Sequence, residues 1–94
     1  MSTSYRARPV LVLALCWDGT DERLRVLKKA WAPAFARHEV KDEDGATHGT
    51  KTLLVPTPEG VLPAQVGDWV VRDPQGSVRP VRADLFRQLY EAAP

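Results

Sequence analysis

The sequence predicts a small α+β domain: a short-stranded, mainly antiparallel sheet of about five strands, one main helix and a short C-terminal helix. Three observations carry this. An apolar run, Pro9–Trp17, is too short and too uniform for an amphipathic helix and fits a buried strand. Apolar residues recur at helical spacing after Thr20, among them Leu24, Leu27 and Trp31. Two four-residue turns of the same chemistry, Thr57-Pro58-Glu59-Gly60 and Asp73-Pro74-Gln75-Gly76, punctuate a strand-like second half.

Residues 1–8 read as a flexible arm. Residues 9–17 read as a strand buried on both faces or central in its sheet, ended by Asp18-Gly19-Thr20. A helix follows over 21–37. Thr20 serves as its N-cap, and Asp21 and Glu22 meet the positive end of the helix dipole. Leu24, Leu27, Trp31, Ala34 and Phe35 form its apolar arc. Pro33 places its end, or a kink, near Ala32. Residues 41–50 (KDEDGATHGT) are polar with two glycines and read as a flexible loop.

The turns then divide four strands, Lys51–Pro56, Val61–Gln65, Trp69–Arg72 and Ser77–Val81, with a bend at Gly67-Asp68. In each four-residue turn proline presets φ at the second position and glycine admits positive φ at the fourth. Pro63 and Pro80 cannot donate to a ladder and belong at an edge or a non-bonded position. The C-terminal helix, 83–92, carries Leu85, Phe86, Leu89, Tyr90 and Ala92 on one face. Both helices are expected to pack on the sheet through Leu24, Leu27, Trp31, Phe35, Leu85, Phe86 and Leu89.

The 94 residues suffice for a single domain, 1–94. With 44% apolar and 27% charged residues the composition is that of a globular chain. One cysteine, Cys16, excludes an internal disulfide, and no run reaches the roughly 20 apolar residues of a membrane helix. The apolar run at 10–17 lacks the cleavage pattern of a signal peptide. The expected location is therefore the cytoplasm. A net charge of +1 gives no basic excess of the kind a dedicated nucleic-acid binder shows.

Motifs for chemistry are absent from the pattern. Cys16, His38 and His48 stand too far apart for the paired spacing of a zinc site. Gly45-Ala46-Thr47-His48-Gly49-Thr50-Lys51 misses the phosphate-loop spacing, and a strand rather than a helix follows it. No nucleophile elbow occurs, and no basic neighbour in sequence activates Cys16. Asp18, Asp68 and Asp73 sit at turns, where aspartate serves local hydrogen bonding. Asp42-Glu43-Asp44 lacks the spacing of a calcium loop. No enzyme activity, cofactor or metal is expected, although a small enzyme with an unrecognised site is the most distant of three readings.

The string Gly67-Asp68-Trp69-Val70-Val71-Arg72, then Gly76, Pro80, Asp84, Phe86 and Tyr90-Glu91, resembles the C-terminal signature of a group of small, functionally uncharacterised phage and prophage proteins. Arg8-Pro9-Val10 and Trp17-x-Gly19 resemble its N-terminal part. Residues 38–60 carry no match, Cys16 stands where glutamine is common, and Val66 where proline is common. The resemblance names no catalytic residue. It implies a non-enzymatic phage accessory protein in the cytoplasm of a bacterial host. Such a protein would bind a host or phage protein, and a component of host defence is the anti-defence candidate. The candidate interface is Trp17, Asp18, Asp68 and Trp69, since tryptophan beside turns is either core or hot spot. The alternative is a nucleic-acid-binding protein using Arg6, Arg8, Arg25, Lys28 and Lys29 against phosphates. Association with a second copy is compatible with either reading.

Overall fold

The computed structural model describes residues 2–5 and 10–93. Its order is β1 (Leu13–Cys16), α1 (Asp21–Ala30), β2 (Ala36–Lys41), β3 (Thr47–Thr57), β4 (Gly60–Ala64), β5 (Trp69–Arg72), β6 (Val78–Val81) and α2 (Ala83–Leu89). The α+β class is as the sequence predicts. The strands form two three-stranded antiparallel sheets rather than one meander, in the orders β1-β5-β6 and β2-β3-β4.

α1 starts as its sequence dictates. Thr20 is extended (ψ 153°), and its side chain accepts a hydrogen bond from the Arg23 amide at 3.1 Å. The helix stops at Ala30 with Trp31 as its C-cap, two residues before Pro33. Phe35 lies beyond the helix end and is nonetheless fully buried, while Ala34 is exposed. The arc that the spacing puts on one helical face is thus split between a helix and the segment leading into β2.

The core fills the space between the sheets and under α1. Trp17, Leu27, Phe35, Leu53, Val55, Ala64, Val70 and Val78 form one buried cluster, flanked by Leu15, Leu24, Trp31 and Ala32. α2 buries none of its residues. Leu85 and Leu89 are exposed, contrary to the expectation that they pack on the sheet. Of its side chains Ala83 and Phe86 are half-buried, and the Phe86 ring reaches inward to stack on Trp69.

Three turns carry a glycine of positive φ at their fourth position. Gly60 (φ 115°) and Gly76 (φ 89°) have the positive φ expected of them. At the second, the Asp73 carboxylate accepts from the amides of Gln75 (3.0 Å) and Ser77 (2.9 Å). Asp42 does the same for Asp44 (3.0 Å) and Ala46 (2.9 Å), and Gly45 takes φ 83°. Residues 41–50 are therefore a correction to the loop reading. Asp42–Gly45 closes a β2–β3 hairpin, and Thr47–Thr50 are the first residues of β3. Every residue from His38 to Gly49 is exposed, so the ladder's backbone bonds hold the pairing without an apolar stripe.

The N-terminal strand is a second correction. It spans Leu13–Cys16 rather than 9–17, and it lies at the edge of its sheet instead of the centre. Val10 and Leu11 are exposed. Pro9, with Ala7 and the candidate contacts Arg6 and Arg8, lies outside the described residues.

Trp17 opposes two residues, Gly67 and Asp68, of the segment leading into β5. Its N–H donates to Asp68 O and its C=O accepts from Gly67 N, both at 2.8 Å, with Gly67 at φ 96°. This is a glycine bulge, and it sets the phase of the whole β1–β5 ladder. Pairs alternate between bonded and non-bonded along an antiparallel ladder. Leu15–Val70 and Leu13–Arg72 are then the bonded pairs. On β5 the same alternation makes Val70–Pro80 a non-bonded pair, which explains how proline is accommodated in β6.

Candidate partner-binding site

The two candidate tryptophans separate onto opposite faces of the β1-β5-β6 sheet. Cross-strand partners share a face, and Cys16 pairs with Trp69. Trp69 therefore lies on the side of Cys16, and Trp17, one residue on, points the other way. Trp17 enters the core with 0% of its surface exposed, and its Nε1 donates to Lys51 O at 2.6 Å. It can make no partner contact in this fold, which removes it from the candidate interface.

Trp69 is half-buried and heads an aromatic stack. Its ring lies 4.2 Å from that of Phe86 with a 5° interplanar angle, and Phe86 in turn lies 5.0 Å from Tyr90. Arg79 donates to the Tyr90 hydroxyl at 2.9 Å and ties the far end of the stack to β6. Face-to-face rings of this kind fix one another's orientation as well as burying area. Along the stack runs a groove of about 290 Å³. It is lined by Val10, Val12 and Ala14 from the N-terminal segment, by Trp69, Phe86 and Tyr90 of the stack, and by Glu91. Leu11, 77% exposed, stands at the rim.

The two aspartates of the candidate interface hold turns. The Asp18 carboxylate accepts from the Thr20 hydroxyl (2.7 Å) and the Thr20 amide (3.0 Å), and Arg23 lies 3.7 Å away. These bonds, the hydroxyl's first and Arg23's charge adding to them, hold its carboxyl below the usual carboxylate range. Asp68 accepts from the Gln65 amide at 3.0 Å and so shapes the bulge that seats Trp69. Asp68 remains beside the groove's leading ring by chain position, whereas Asp18 belongs to the α1 entrance.

Of the alternative nucleic-acid contacts, Arg25, Lys28 and Lys29 are exposed on α1. Acidic groups share the cleft of Lys28. Asp21 pairs with Arg37, and the cleft that Lys28 lines also holds Asp21 and Glu39.

The remaining polar cluster is at the hairpin tip. The Asp42 carboxylate contacts His48 Nε2 at 2.7 Å, and that bond first, with the amides of Ala46 and Asp44, holds the Asp42 carboxyl below its usual range. Among the described residues no three His, Cys, Asp or Glu side chains gather in a manner that could hold a metal ion. No helix among them is long and apolar enough to cross a membrane.

Sequence reasoning singles out Trp69 and misses its partners. Helical spacing puts Phe86 and Tyr90 on a core-facing side of α2, whereas their i, i+4 separation stacks them as an extension of Trp69. The apolar run puts Val10, Val12 and Ala14 in a buried strand, whereas they wall a groove. Family models, curated proteins and solved structures were all compared with the chain, and none matches it.

Proposed function

We propose that this chain is a non-enzymatic binding protein that engages a protein partner through the groove beside Trp69, Phe86 and Tyr90. The observation that carries the reading is the groove itself: a three-ring aromatic stack and the apolar residues Val10, Val12 and Ala14 line one open groove. Interfaces concentrate their energy on aromatic anchors set in such surroundings, and a clustered apolar surface marks an interaction site more often than scattered apolar residues do. The phage or prophage origin, and a host protein or defence component as the target, belong to the same proposal. They rest on the sequence resemblance alone.

The test is affinity capture from bacterial host lysate with and without nuclease, followed by affinity measurement on the identified partner. Trp69→Ala and the surface variant Leu11→Asp should each weaken binding by at least about 1 kcal/mol, roughly five-fold. The melting curve of Leu11→Asp should stay at the wild-type position. Nuclease-sensitive capture, with DNA or RNA affinity that falls steeply with salt and is lost in a Lys28→Ala/Lys29→Ala variant, would overturn the reading in favour of a nucleic-acid ligand.

A further inference from the structure

We infer that two copies of this chain pair edge to edge through β1, forming a continuous six-stranded antiparallel sheet about a two-fold axis at Ala14. This goes beyond the partner reading, since it concerns the open edge of the strand and not the groove on its face.

The phase of the ladder carries the argument. The bulge at Gly67-Asp68 puts Trp17 in a bonded pair, so Leu15 and Leu13 also bond inward to β5. The N–H and C=O of Ala14 and Cys16 consequently face outward, and among the described residues no strand pairs with β1 on that side. Such a row of free donors and acceptors is a template for another strand.

The other edges are guarded in the ways proteins use against this. β2 carries Arg37, His38, Glu39 and Lys41 and a register shift between Arg37 and Glu39. β4 carries Pro63, and β6 carries Arg79 and Pro80. β1 has none of these devices. From Val10 to Trp17 the chain holds no charge and no proline.

That neutrality selects a second copy as the occupant. An antiparallel self-pairing centred on Ala14 sets Ala14 against Ala14 of the second copy and Val12 against its Cys16, both as bonded pairs. Leu13 then meets Leu15 across the closer, non-bonded spacing of about 4.5 Å. No like charges face one another in this register, and Leu13, 58% exposed in the single chain, gains an apolar neighbour. A shift by one residue would mismatch the outward-facing backbone groups, so the bulge limits pairing to registers two residues apart, and the one centred on Ala14 pairs only the uncharged residues 11–17 with one another.

The experiment is sedimentation of the full chain, with variants that disturb the outer side of β1 and spare its pairing with β5. Ala14→Pro deletes an N–H that points away from β5, so the inner ladder keeps its bonds. Leu13→Glu places a like-charged pair near the two-fold axis at an already exposed position, and within the chain it faces Arg72 of β5 with the opposite charge. At about 100 μM the wild-type chain should sediment at twice its 10.5 kDa mass. Both variants should sediment as single chains, and Leu13→Glu should keep the wild-type circular dichroism spectrum. In a Val12→Cys variant, oxidation should link the introduced thiol to Cys16 of the second copy, as the bonded-pair spacing of about 5.5 Å allows. A wild-type chain that stays monomeric at that concentration would overturn the inference, including one that instead takes up an apolar peptide along β1. So would a folded Leu13→Glu variant that remains a dimer.

Discussion

Replacing Trp17 by phenylalanine tests the packing at the junction of the two sheets. The indole is fully buried, and its Nε1 donates to Lys51 O, the carbonyl of a β3 residue. Trp17 thereby joins the end of β1, in one sheet, to β3, in the other. Phenylalanine lacks that donor and two of the ring carbons. Each buried carbon contributes about 0.8 kcal/mol, and the net hydrogen bond about 1 kcal/mol. The expected loss is about 2.5 kcal/mol, from a total stability of roughly 5–14 kcal/mol for a chain this long. Thermal unfolding followed by circular dichroism should show a fall of about 10–20 °C. Trp69→Phe is the internal control. It keeps the stack on Phe86 at a half-buried position and should cost about 1 kcal/mol or less. A melting temperature for Trp17→Phe within about 3 °C of wild type would refute the reasoning, since it would mean that the indole neither fills the core nor ties the sheets together.

Two further outcomes follow from the same geometry. Leu27 is the one buried residue of α1, so Leu27→Ala should lose about 2–5 kcal/mol and leave the domain close to unfolding; a midpoint in urea unchanged from wild type would show that α1 is not seated on the core. The Asp42 carboxyl, held low by His48, contributes stability that is fully present above the ordinary value of 3.8 and is lost as pH falls through the lower native value. An acid titration followed by NMR should place Asp42, and likewise Asp18 with its Thr20 bonds, below 3.8, and a midpoint at or above that value would contradict the hairpin-tip geometry.

The hairpin of β2 and β3 shows why part of the fold escapes sequence pattern. Its residues from His38 to Gly49 are solvated on both faces, so no alternation of apolar and polar residues marks them as strand. A signal is nonetheless present. Asp42-x-x-Gly45 repeats the spacing of Asp73-x-x-Gly76, and both carboxylates cap two amides in the same way. The absence of proline from the first turn hides the likeness. For the candidate site, Asp68 and Trp69 are legible as a bend carrying an aromatic residue, while the stack on Phe86 and Tyr90 depends on where α2 lands after β6.

Local chemistry in the chain was enough to determine the α1 N-terminus, through Thr20 and the acidic residues after it, and both proline–glycine turns, because caps and turns are settled within four or five residues. It was also enough for the α+β class, which follows from the order of those short-range signals. Tertiary structure alone decided three things. It divided the strands into two sheets, since pairing partners such as β1 and β5 lie far apart in the chain. It put the apolar run at an edge, since such a run reports that apolar side chains are dense without saying how many neighbours cover the backbone. It also sent Trp17 inward and left Trp69 beside the groove. Both tryptophans border turns and look equivalent in sequence, and the difference comes from the one-residue phase that the Gly67-Asp68 bulge imposes, because each step along a strand reverses the face.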